Sequence, residues 1–232
     1  MYSEPLKTTF KRFCIAVIFS IAFAYIEAAA VVYMRIIFYP DGFVFPLTEF
    51  GNHRLWKPVL LIEICREAAT LVLVFSSAWL FGRDLKQKFA YLLTIFGVWD
   101  IFYYIWLKIL IGWPSSIMDW DILFLMPMAW ASPVLAPVII SVTMLIFAVV
   151  LFYSSYQGRR FRINPLNRLG FYLASFVVIF SFCLAGTQIT RPDFQSYFYW
   201  PLFAGGHLTA TGFLISWILK SKQVERVAAK TQ

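Results

Sequence analysis

Residues 58–81 read PVLLIEICREAATLVLVFSSAWLF. The run exceeds the ~20 apolar residues that cross a ~30 Å hydrocarbon core, yet it holds Glu63, Arg66 and Glu67 in its first half. A charge at mid-bilayer costs ~2.5–3.5 kcal/mol, so such groups persist only where they meet one another, a ligand or water inside a helical bundle. Glu63, Arg66, Glu67 and Thr70 fall at i, i+3, i+4 and i+7, which puts all four on one helical stripe. The stretch therefore predicts a membrane helix with one polar face turned inward.

The whole chain has the same character. It is 61% hydrophobic, 20% aromatic and 14% charged, with mean hydropathy +0.73, whereas a soluble domain carries about 25% charged residues. Six segments are long and apolar enough to span: about 13–38, 58–81, 89–112, 133–153, 169–190 and 198–219. They fill the chain, so residues 1–232 are expected to form one transmembrane domain, an all-α six-helix bundle. Between the third and fourth segments, Trp113 to Trp130 holds Ser116 and Asp119 at capping-box spacing, which predicts a short interfacial helix there. Its tryptophans suit either an aromatic belt or a lid, and the long first connection, Tyr39 to Trp56, suits a roof over the same site.

Orientation follows from the basic residues. Lys7, Lys11 and Arg12, then Arg83, Lys86 and Lys88, then Arg159, Arg160, Arg162 and Arg168, then Lys220, Lys222, Arg226 and Lys230 occupy alternate ends. The opposite connections carry Arg54, Lys57 and Arg191 with Asp41, Glu49, Asp119, Asp121 and Asp193. By the positive-inside rule both termini are cytoplasmic. Topology thus accounts for the net charge of +8 without a nucleic-acid partner. The apolar character of the first segment continues past Ala28 to Phe38, too long for a cleaved signal peptide. Cys14, Cys65 and Cys183 fall in different segments with no metal or disulfide spacing, so packing is their expected role.

Candidate site residues follow from depth and face. At ~1.5 Å per residue, Glu27, Glu67 and Asp100 share one level near the midplane, while Arg66, Glu63 and Lys108 lie outward of it. Asp100, Tyr103, Tyr104 and Lys108 form a stripe on the third segment, and Trp99 adds aromatic surface. An outward-facing pocket between the first three helices is expected, with Arg66 and Lys108 as its counter-charges. The acids exceed these cations by two, or by one if Arg35 reaches in, so a carboxyl is protonated or a cation from outside enters. A purely structural ion-pair network is the alternative. His207, on the sixth segment at similar depth, fits a structural hydrogen bond, a proton relay or a metal ligand. No phosphate loop, paired-histidine metalloprotease helix, nucleophile elbow or haem motif is present, no cofactor is assigned, and no internal repeat supports an inverted-repeat transporter.

The run Glu63, Arg66, Glu67, Ala68, Ala69 and Thr70, with Trp99, Asp100, Tyr103, Tyr104, Lys108, Gly112, Trp113, Trp120, Asp121, Pro127, Trp130, Pro133 and Pro137, resembles a group of polytopic bacterial inner-membrane proteins with no assigned activity. The resemblance implies a bacterial cytoplasmic membrane location and transfers no site residue. Three classes of function fit the residues. The first is a protein that binds or transports a small solute, proton or cation against the carboxylates. The second is an intramembrane enzyme acting on a lipid or isoprenoid, with Asp100 or Glu67 as acid or base. The third is a non-catalytic subunit of a larger membrane complex. A water-filled funnel favours the first, a lateral opening to lipid the second, and no cavity the third.

Overall fold

The computed structural model describes residues 6–40, 42–47, 56–157 and 164–230, with side chains described within 10–40, 42–47, 58–157 and 164–220. The charges at Asp41, Glu49, His53, Arg54, Arg159, Arg160 and Arg162, and the side chains of Lys7, Lys57, Lys222, Arg226 and Lys230, lie outside the described residues.

Long apolar runs bounded by helix-ending residues give the long helices: α1 (Leu6–Phe38), α2 (Trp56–Phe81), α3 (Leu85–Ile111), α4 (Leu135–Tyr156), α5 (Pro165–Gly186) and α6 (Trp200–Lys230). The stops are local chemistry. Asp84 caps α3 by accepting from the Gln87 amide at 2.8 Å, and Gly112, at φ 71°, closes it in the left-handed region where only glycine sits without strain. Asn164 caps α5 by accepting from the Leu166 amide, with Pro165 opening the helix.

Five of these helices, α1, α3, α4, α5 and α6, are long and apolar enough to cross a membrane. The chain is a multi-pass membrane protein whose surroundings are a lipid bilayer. Side-chain exposure is inverted accordingly: Ile18, Ile26 and Ile36 on α1, Ile146 and Val149 on α4, Leu173 and Phe176 on α5 and Leu208 on α6 all face outward. α2 has the same outer surface, with Leu61, Ile62, Val72, Phe75 and Leu80 exposed. Its buried stripe is Glu63, Glu67, Thr70, Val74, Ser77 and Ala78, charged in the first half and small or apolar in the second.

α3 is the centre of the first group of helices, packing on α1, α2 and α4, while α5 and α6 pair with each other. Ala16, Phe23, Ala24, Val74, Ala78, Tyr91, Ile95 and Trp99 form the apolar core between α1, α2 and α3. A second core, around Ala131, Val178, Phe182, Phe198 and Phe203, ties α5 and α6 to the connections.

The expected short interfacial helix is replaced by a hairpin. β1 (Trp120–Phe124) pairs antiparallel with β2 (Trp130–Pro133), setting Trp120 opposite Pro133, Asp121 opposite Ser132 and Ile122 opposite Ala131, with an irregularity before Phe124 pairs with Trp130. The helix fails because Ser116 and Asp119 close a turn instead of opening a helix. Asp119 Oδ2 accepts from the Ser115 amide at 2.6 Å, the Ser115 hydroxyl at 2.8 Å and the Ser116 amide at 3.2 Å, and the Asp119 amide donates back to the Ser116 carbonyl. Burial opposes the charge on Asp119, but these hydrogen bonds and Lys108 outweigh it and hold the carboxyl below its usual range.

The hairpin lies against α5 and α4. Gly186 at the end of α5 permits this, since a Cβ there would overlap the Ala129 carbonyl at the hairpin turn. Trp130 stacks on Phe182 and meets Phe124 edge-on, while Trp120 packs on Phe194 and Phe198. Both tryptophans are half-buried among these rings. Phe194 belongs to a short 3-10 turn, Phe194–Tyr197, before α6.

Candidate functional site

Between the helices and against the hairpin lies a cavity of about 470 Å³. Its wall is mostly apolar and aromatic: Val31, Met34, Phe38, Leu71, Phe96, Trp99, Phe124, Trp130, Met144 and Phe182 all contribute. Of the residues singled out in the sequence, Glu27, Glu63, Arg66, Glu67, Trp99, Asp100, Tyr103, Tyr104 and His207 line it.

Lys108 does not. It sits exposed at the end of α3, where its ammonium donates to the carbonyls of Gly112 at 3.1 Å and Pro114 at 2.8 Å. A cation in the last turn of a helix satisfies free carbonyls and complements the helix dipole, and that local role replaces the expected one of counter-charge in the pocket. Arg35 and Asp121 take its place in the wall. Arg35 reaches in from α1, its guanidinium 3.0 Å from Asp121 Oδ1 and held between the rings of Phe43 and Trp113, 4.3 and 3.9 Å from their centroids. The Tyr103 hydroxyl donates to Asp121 Oδ2 at 3.4 Å. Burial pushes the Asp121 carboxyl above its ordinary range, and Arg35 acts against that rise. Asp121 carried the signal that marks the helical charges, a lone acid in the apolar run WDILFLM, but lay in a segment read as a connection.

The remaining carboxyls of the wall fall into three clusters. Arg66 of α2 forms ion pairs with Glu27 of α1 and Glu63 of its own helix, its Nε donating to Glu63 Oε2 at 2.8 Å. The Thr70 hydroxyl donates to Glu27 Oε2 at 3.3 Å. Glu67, one turn from Glu63, accepts from the Leu125 amide at 2.9 and 3.1 Å, so it satisfies a backbone donor at the tip of the hairpin. Asp100 accepts from the Ser141 hydroxyl of α4 at 2.8 Å. Gly97, one turn before Asp100, brings α4 close, for a Cβ there would lie 3.0 Å from the Ser141 carbonyl oxygen. Ser141 had no sequence signal, because a serine in an apolar helix more often bonds to its own backbone.

His207 bonds through Nε2 to the Thr143 hydroxyl at 3.1 Å and stacks on Phe203. Among the described residues, no group of three or more His, Cys, Asp or Glu side chains is arranged to hold a metal ion. The charge inventory of the wall is five carboxyls, Glu27, Glu63, Glu67, Asp100 and Asp121, against the guanidiniums of Arg35 and Arg66. The acid excess is larger than the sequence alone gave, because Lys108 leaves the set and Asp121 joins it. Such a wall can hold a cation or a proton, and it offers apolar surface to a larger body. Comparison with family models, with curated proteins and with solved structures finds no match to the chain, so its function has to be read from this geometry.

Proposed function

We propose that the protein sits in the bacterial cytoplasmic membrane with both termini in the cytoplasm, that α2 spans with the other five helices, and that the cavity captures a small solute from the outer side for binding or transport. One observation carries this reading: Glu27, Glu67 and Asp100, on three different helices and each expensive in a bilayer, line one cavity of about 470 Å³. That volume lies within the ~300–1,000 Å³ of ordinary small-molecule sites, and a mostly apolar wall with a few placed polar groups is their usual composition. A subunit whose charges served only to pack helices would have no use for the space. The connections that carry Tyr39, Phe43 and the hairpin all leave the bundle at the end opposite Lys11, Arg12, Arg83, Lys86 and Lys88, which supports an outward-facing mouth.

The test is thermal unfolding of the full chain in detergent against cationic, neutral and anionic compounds that fit the volume, in wild type and in Ala210→Phe, which fills the cavity from α6. A saturable rise in Tm with one class, lost in Ala210→Phe, is the expected result. If no compound raises Tm and Ala210→Phe is itself more stable, the space is an unfilled packing defect and the binding reading fails.

A further inference from the structure

The charged groups of the cavity wall differ in what already holds them. Glu27 and Glu63 share Arg66, and Asp121 has Arg35. Glu67 has no cation, and the single Leu125 N–H of the hairpin is shared between its two oxygens. Asp100 is held by Ser141, a neutral hydroxyl on one of its two oxygens. Three of the five carboxyls thus have a guanidinium, and Glu67 and Asp100 each have one neutral donor: that of Glu67 is the backbone amide which fixes the hairpin tip, whereas that of Asp100 is a side-chain hydroxyl on one oxygen, too weak to balance a charge in apolar surroundings. Aromatic residues share the cavity wall with it: Phe96 and Tyr104 lie one turn away on α3, Trp99 precedes it, and Trp130 comes from β2. The space beyond is apolar.

We infer that the occupant of the cavity is a hydrophobic organic monocation whose ammonium pairs with Asp100 and whose apolar body lies against Phe96, Trp99, Tyr104 and Trp130. This rests on the reading of the cavity as a ligand site. A carboxylate in apolar surroundings needs a cation, and aromatic faces attract the same charge through their quadrupoles. An inorganic ion would leave the apolar volume unused. A neutral lipid-like molecule would instead require a proton on Asp100, and the experiment separates these cases.

Three probes share one body and differ in the head: 4-phenylbutylamine, 4-phenylbutan-1-ol and 4-phenylbutanoate. Binding to the full chain in neutral detergent micelles is read at pH 7 by tryptophan fluorescence and by Tm. The amine is expected to bind at least about tenfold more tightly than the alcohol, the usual worth of a hydrogen bond to a charged group, and the carboxylate more weakly than either. Asp100→Asn should bring the amine down to the level of the alcohol while the alcohol is unchanged. If Asp100→Asn does not fold, Asp100→Glu keeps the charge but moves it by one methylene, and it must change the amine constant alone. Equal binding of amine and alcohol in wild type overturns the cation and leaves the cavity reading standing, as does an amine preference that survives both substitutions. If none of the three binds, this ligand class is wrong, and the broader screen with Ala210→Phe decides on the cavity itself.

Discussion

The α1–α2 face and the α3–α4 face both bury carboxyls among apolar helices, and they hold them by different means. Between α1 and α2, Arg66 bridges Glu27 and Glu63 with help from Thr70. Between α3 and α4, Asp100 has the Ser141 hydroxyl. The first arrangement is a fastening: α1 and α2 each pack mainly on α3, so the ion pair with Glu27 ties together two helices that otherwise meet little. The second fastens nothing that Gly97 and the apolar contacts of α3 with α4 do not already secure. A strong interaction where packing is thin is structural. A weak one on a carboxyl where packing is ample leaves that group free for other work.

Removing the fastening should produce the largest effect. Arg66→Met leaves Glu27 and Glu63 without their shared cation, and breaking a buried pair from one side costs about 3–5 kcal/mol; the guanidinium's partial exposure lowers that figure and the orphaning of two acids raises it, so about 4 kcal/mol is expected. Adding Glu27→Gln and Glu63→Gln to Arg66→Met should restore most of the loss, since no charge is then left unpaired. Equilibrium unfolding in mixed micelles measures both. An Arg66→Met protein as stable as wild type would erase the contrast between the two faces.

Arg35→Met comes next, at about 3 kcal/mol, because Tyr103 still donates to Asp121 when the guanidinium is gone. Its effect should be local, as the pair joins α1 to the hairpin. Faster amide exchange across Trp120–Phe124 and Trp130–Pro133, with protection in α5 retained, is the expected pattern. Loss of protection throughout would mean that the hairpin is as much a part of the scaffold as α1.

The helices and the inward stripe of α2 were legible in sequence because both signals are strong: apolar runs longer than twenty residues, and charges whose spacing can share only one face of a helix. The hairpin was not. A serine three residues before an aspartate is common to helix caps and to turns, and only the flanking residues decide between them. Leu123 falls on the same strand face as Asp121, so the run from Trp120 to Phe124 lacks the clean apolar-polar alternation that announces a strand. Lys108 was misplaced for a related reason: its spacing from Asp100 is right for one face, but depth along the helix puts its ammonium within reach of the free carbonyls at Gly112 and Pro114. Period fixes a face. It does not say which partner a long side chain will choose.

Asp100→Asn sharpens the comparison by doing little to the fold. The amide oxygen still accepts from Ser141, so stability should stay within about 1 kcal/mol of wild type or rise slightly, while ligand-dependent stabilisation disappears. Paired melting curves with and without a bound compound show both halves of this result. Unfolding of Asp100→Asn as severe as that of Arg66→Met would place Asp100 among the fastenings.

Asp119 supplies the smallest effect and a control outside the cavity. Its carboxylate gathers three donors from Ser115 and Ser116 in a turn whose neighbouring residues are exposed, so Asp119→Ala should change stability by only about 0.5 kcal/mol. The sign of its pH dependence is fixed by its lowered carboxyl. The unfolded chain takes up a proton more readily, so the turn's contribution is complete above about pH 4 and is lost as the pH falls through the native value. Comparing wild type with Asp119→Ala between pH 3 and pH 7 should therefore show two curves that are separated at neutral pH and converge in acid. Curves that diverge in acid would mean that the charged carboxylate works against the turn, and that the hairpin is held without its help, by Arg35, Glu67, Gly186 and the aromatic packing.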